Sequence, residues 1–94
     1  MAALIVKHRV ANFEAWKTQF DSMKPIRAKH GWISTHVFRD ATDPNVVTIV
    51  NRVRDLAGAK AYGASPELRE GMSKAGVQGP PEISFVEDAA DDAY

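Results

Sequence analysis

Residues 4–10, LIVKHRV, crowd β-branched side chains into a short run that Asn12 closes, which predicts a strand. Phe13, Trp16, Phe20 and Met23 then recur at helical spacing, with Lys17, Gln19, Asp21 and Lys24 on the other side. An amphipathic helix capped by Asn12 follows. Pro25 lacks an N–H and its ring clashes with the carbonyl one turn earlier, so the helix is expected to bend or restart near Met23 to Pro25. It should end before Gly31, with His30 capping its last carbonyls.

Trp32 to Arg39 and Val46 to Val53 are two further strand-like runs, joined by DATDPN, whose Asp, Pro and Asn content is turn chemistry. Asp55 can cap a second helix through LAGAKAYGA. Ser65-Pro66-Glu67 reads as a fresh start, with Ser as cap and Pro in the first helical position, and the helical period then runs to Gly76. GPPE forces an extended backbone into EISFVE, a last short strand. Residues 89–94 are acidic and small, which predicts a loose tail behind a single domain at 1–88.

Strand, helix, strand, strand, helix, strand is the split βαβ order of a ferredoxin-like α+β fold. Right-handed crossovers then give a four-stranded antiparallel sheet ordered 4-1-3-2 with the helices on one face. Pairing Asp40 with Asn45 sets His36 opposite Ile49 and Ser34 opposite Asn51. One face then carries Trp32, Ser34, His36, Phe38, Val47, Ile49, Asn51 and Val53. The other carries Ile33, Thr35, Val37, Val46, Thr48 and Val50, with Arg39 and Arg52 at its ends. Neither face is polar enough for water, and leaving about four such side chains exposed forgoes roughly 1.5 to 3 kcal/mol each. A homodimer closed across the sheet is the expected remedy.

The chain of 94 residues suits one domain with one core. Its 12 acidic and 12 basic side chains balance, so no strong field draws nucleic acid or anionic lipid toward it. Cysteine is absent, which excludes disulfides and thiolate catalysis. The apolar start is interrupted at once by Lys7, His8 and Arg9, a pattern of a soluble, cytoplasmic protein without a membrane segment. The 3 histidines lack close ligand spacing and there is no Gly-rich phosphate loop, so neither metal nor cofactor is expected.

The element order, with FEAWKTQFDS (13–22), HVFRDATDPNVV (36–47) and SPELREGMSKAGVQGPPEISFVE (65–87), resembles the dimeric α+β barrel superfamily. That superfamily includes antibiotic biosynthesis monooxygenase-like domains, polyketide cyclases and stress-responsive barrel proteins. The resemblance runs to Glu87 and implies two sheets packed face to face, with ligands in a cleft between each sheet and its helices. Cofactor-free monooxygenases and haem degraders of the superfamily use a strand Asn with a Trp, the haem degraders adding a helical His. Here the first strand offers His8, and the tryptophans are Trp16 and Trp32, so neither activity carries over residue by residue.

Candidate chemistry centres on His36 and His8 as catalytic bases, since a neutral imidazole between apolar walls can take a proton from an acidic C–H or a phenol. Each could equally be a buried structural residue. Asn51 is disfavoured inside a strand and so needs a specific partner, a ligand oxygen or a buried backbone group. Ser34 and Phe38 share the predicted His36 face, Trp16 could wall a pocket, and the Tyr62 hydroxyl could meet a ligand. Two functions follow. One is a cofactor-independent, monooxygenase-like or cyclase-like enzyme acting on a small aromatic or polyketide-like molecule; the other is a non-catalytic small-ligand-binding or stress-related barrel.

Overall fold

The computed structural model describes residues 1–94 and orders them as β1 (Ala2–Val10), α1 (Phe13–Ser22), α2 (Lys24–Lys29), β2 (Trp32–Arg39), β3 (Val46–Val53), α3 (Leu56–Gly63), α4 (Pro66–Lys74) and β4 (Val77–Glu87). The strands form one 4-stranded sheet, β2-β3-β1-β4, in which β1 pairs antiparallel with both β3 and β4. This is the expected order, read from the other edge.

Local chemistry starts each helix where the sequence places it. Asn12 accepts from the Ala15 N–H, Asp55 from the Gly58 N–H and Ser65 from the Leu68 N–H, satisfying first-turn donors that have no intrahelical partner. Pro25 sits in the first turn of α2, so the chain breaks at Met23 and restarts there. Glycine lets α3 dock closely: a Cβ at Gly58 would stand 2.6 Å from the His30 carbonyl oxygen.

The last strand is longer than EISFVE. It begins at Val77, and the ladder with β1 shifts between Lys7 and Arg9, where Gly79 takes φ 74° and two prolines follow. Prolines cannot donate to a ladder, so an edge strand with a bulge is where they fit.

The β2–β3 register corrects the sequence expectation. Thr35 pairs with Asn51, His36 with Val50 and Phe38 with Thr48, one residue away from the expected partners. The cause is the turn. Asp40 Oδ2 accepts from the Thr42 N–H, the Thr42 hydroxyl and the Asp43 N–H, and Asp43 Oδ1 accepts from the Asn45 N–H. These side-chain bonds hold a loop one residue longer, so Asp40 donates to the Val46 carbonyl. A bulge at Ile33 then restores Trp32 to its expected partner Val53. Ser34, His36 and Phe38 therefore point away from Asn51, while Trp32 stays on its side.

Helices cover the face of β3 that carries Val47, Ile49, Asn51 and Val53, all of them buried. Val10, Trp16, Val47, Ile49 and Ala75 form one apolar cluster, and Ala2, Leu4, Val53 and Ala59 a second, with Val6 packed against both. The opposite face carries Ile5, Val46, Thr48 and Val50 beside Phe38 and Val86, of which Phe38 is 47% and Val86 37% exposed. No helix lies over it.

Candidate functional site

Between the helix-covered face and the helices lies a cavity of about 90 Å³ that touches both apolar clusters. Leu4, Val6 and Ile49 form its floor, Trp16, Phe20, Met23 and Tyr62 its roof. Ile83 and Phe85 line it from β4 and are 45% and 41% exposed, so the cavity reaches solvent on that side.

Of the residues singled out from sequence, His8, Asn51, Trp16 and Tyr62 come together here. His36, Ser34 and Phe38 do not. With the register shifted, His36 is exposed and stacks on Phe38 with ring centroids 4.2 Å apart, and Ser34 pairs opposite Arg52 on the same open face. His36 and Ser34 border a separate outer groove along β2, together with Lys17, Lys24 and Arg27.

His8 is 8% exposed, and neither ring nitrogen has a hydrogen-bond partner. Its ring meets Trp16 edge-on at 5.6 Å. Burial holds its pKa below the usual 6.5, so it stands in the cavity as a neutral imidazole at neutral pH. A neutral ring has one donor and one acceptor nitrogen, and each left unmet inside a protein costs about 1 to 3 kcal/mol. Alternation along β1 places His8 beside Leu4 and Val6 on this face.

Asn51 is held by the protein itself. Its Oδ1 accepts from Trp32 Nε1 at 2.8 Å and from the Thr35 hydroxyl at 3.3 Å, and its Nδ2 donates to the Leu4 carbonyl at 3.0 Å. The buried amide thus ties β1, β2 and β3 together. His30 takes its expected capping place, with Nδ1 2.9 Å from the Ile26 carbonyl oxygen.

Arg27 is the residue that sequence reasoning missed. It is buried in the cavity wall, donates from Nη1 to the Phe20 carbonyl at 2.8 Å and lies 3.8 Å over the Phe20 ring. A signal was present: Trp16, Phe20, Met23 and Arg27 continue one helical period across the Pro25 break. Burial pushes the Tyr62 hydroxyl pKa up, and the neighbouring Arg27 guanidinium partly offsets that.

No protein-family model matches the chain, and no curated protein sequence does. Solved structures do match in shape. A putative antibiotic biosynthesis monooxygenase from Bordetella bronchiseptica superposes with a TM-score of 0.79 at 13% identity, over 95% of this chain and 97% of that one. SnoaB, a cofactor-independent oxygenase from Streptomyces nogalater, gives 0.79 at 11% identity, over 96% and 94%. A putative antibiotic biosynthesis monooxygenase from Nitrosomonas europaea gives 0.73 at 15%, over 96% and 100%. At such identities the likeness is one of fold, and it agrees with the ferredoxin-like α+β order expected from the sequence.

Proposed function

We propose that the chain, on the fold it shares with these oxygenase structures, binds a small aromatic molecule in the cavity and deprotonates it with His8 as a cofactor-independent monooxygenase. What supports this is the state of His8: neutral, buried, lining the cavity and without a partner for either nitrogen. Buried polar groups are nearly always satisfied, so an orphaned imidazole beside open space is poised for something that enters.

In this reading an acidic C–H gives its proton to a His8 ring nitrogen, and the electron pair left on carbon reduces dioxygen. One oxygen atom stays on that carbon as a carbonyl. The other leaves as water with both hydrogens of the original CH₂. A positioned base contributes about 10² to 10⁴ in rate. The test is oxygen uptake with anthrones and hydroquinones as substrates. Wild type and His36→Ala are expected to turn over alike, because His36 lies on the other face of the sheet. Uptake no faster than the uncatalysed reaction would sink the enzymatic reading.

A second reading, ligand binding without turnover, rests on the apolar lining of the cavity, which holds a ring without acting on it. At about 90 Å³ it is smaller than the roughly 150 Å³ apolar cavity that takes benzene. Flexible Met23 and Met72 in its wall must move for a ring to enter. Bound ligand with no oxygen consumption would select this reading.

The same proposal includes a homodimer closed across the open face. Val50 pairs with both His36 and Ile5 and so sits amid that apolar surface. Val50→Glu would bury a carboxylate in the contact and is expected to give a folded monomer by light scattering, whereas wild type runs as a dimer. A monomeric wild type at micromolar concentration would remove the dimer.

A further inference from the structure

The cavity wall holds a cation that the protein leaves without a counterion. Arg27 is 6% exposed, and it joins none of the ion pairs of the chain. Burying an unpaired charge is strongly unfavourable, so a retained one needs a reason. A guanidinium stays protonated and offers five N–H donors in a rigid fork. One of them meets the Phe20 carbonyl near the end of α1, and the flat face of the group rests on the Phe20 ring. That helix-end role uses a single N–H. Asp21, the nearby acid, is exposed and already paired with Lys17 at 2.7 Å.

Two further observations bear on the free donors. Tyr62 is buried against Arg27 and lines the same cavity; its hydroxyl oxygen faces the guanidinium as an acceptor, which leaves its O–H to donate to a ligand oxygen shared with the remaining guanidinium N–H groups. Arg27, Phe20 and Trp32 also border the outer groove, where Lys17 and Lys24 stand. Arg27 therefore forms part of the partition between a basic groove and an apolar cavity.

We propose that Arg27 and Tyr62 bind the oxyanion of a small aromatic acid, a carboxylate or an ionised phenol or enol, so that the cavity selects anionic rings over neutral ones. This deepens the cavity reading above and rests on it. Apolar walls hold the ring, and the guanidinium fork donates to two oxygens or to one shared with Tyr62. The cation also favours the negative charge that appears on the substrate when His8 takes a proton.

The test titrates the full chain with benzoate, its neutral isostere benzamide and 4-nitrophenol, reading tryptophan fluorescence and, for the nitrophenol, the colour of its ionised form. Benzoate is expected to bind about 10-fold or more tightly than benzamide, the scale of a charge-assisted hydrogen bond. Arg27→Met should remove that preference, Arg27→Lys should keep part of it, and Tyr62→Phe should narrow it. Bound 4-nitrophenol turning to the coloured form identifies phenolates as substrates, and binding of benzoate alone identifies carboxylates. If Arg27→Met does not fold, the wild-type comparison of benzoate with benzamide decides by itself. Equal affinity for the two, or a preference that survives Arg27→Met, overturns the role of Arg27 and leaves the His8 proposal standing. Binding of none of the three overturns both.

Discussion

Replacing His8 with leucine is expected to raise the melting temperature while removing oxygen uptake. Two unmet ring nitrogens in an apolar wall are a standing cost, and leucine fills a similar volume with nothing to satisfy. A gain of about 1 kcal/mol corresponds to roughly 4 to 8 °C in a domain of this size. Activity moves the other way, by about 10² to 10⁴, if the imidazole is the base. Calorimetry and oxygen uptake on the same preparation check both halves. A histidine that only packs would give the stability gain with no loss of rate, and a lower melting temperature would mean the ring has partners after all.

The same substitution has a signature in pH. Burial lowers the His8 pKa from its usual 6.5, so as pH falls the unfolded chain takes up the proton first. The stability linked to neutral His8 is therefore present above pH 6.5 and is lost as pH falls from there toward the lower folded-state value. Wild type should lose stability across this window more steeply than His8→Leu, in which the group is gone. Asp40, Asp43 and Asp88 are held below their usual 3.8 by hydrogen bonds, so their contribution fades only as pH falls through that lower range. The two windows are separable in thermal melts at a series of pH values.

The helix starts were legible because each is set by a local device. Asn12, Asp55 and Ser65 accept from first-turn amides whatever the rest of the chain does, and Pro25 breaks a helix for reasons internal to one turn. Register is different. Moving a pairing by one residue reverses the face of every side chain, and here the Asp40 and Asp43 carboxylates decide it through bonds to loop amides. That is why His36, expected on the Asn51 face, lies on the open one, while His8, whose strand sits in the sheet's centre, needs no turn to set its face. The bulge at Ile33 compounds the difficulty, since nothing in TrpIleSerThr marks an extra residue. Arg27 escaped for another reason. A charged side chain within a helical period reads as a solvated position, and only the tertiary packing of α2 shows that it turns inward.

Asn51 carries the second large expectation, and it concerns the frame of the site. Asn51→Leu would keep the volume but strand the Trp32 indole N–H, now met at 2.8 Å, and take from the Leu4 carbonyl the second donor it has at 3.0 Å beside its ladder bond. A buried N–H left unmet costs about 1 to 3 kcal/mol and a lost second bond about 0.5 to 1.5, so a loss near 3 kcal/mol and a fall of roughly 12 to 24 °C are expected. Against a total stability of about 5 to 10 kcal/mol for such a domain, that is severe. Asn51→Asp separates hydrogen bonding from shape. One carboxyl oxygen can still accept from Trp32, but the other faces the Leu4 carbonyl oxygen and has nothing to donate unless it keeps its proton. Its pKa should rise in the folded state, so the stability of this variant relative to wild type is present at low pH and lost as pH climbs through about 4 and beyond. Thermal melts at pH 4 and pH 7 read this directly. A deficit that is the same at both values would mean that the amide nitrogen is not held by the Leu4 carbonyl, and that the β1–β3 seam under His8 is tied by something else.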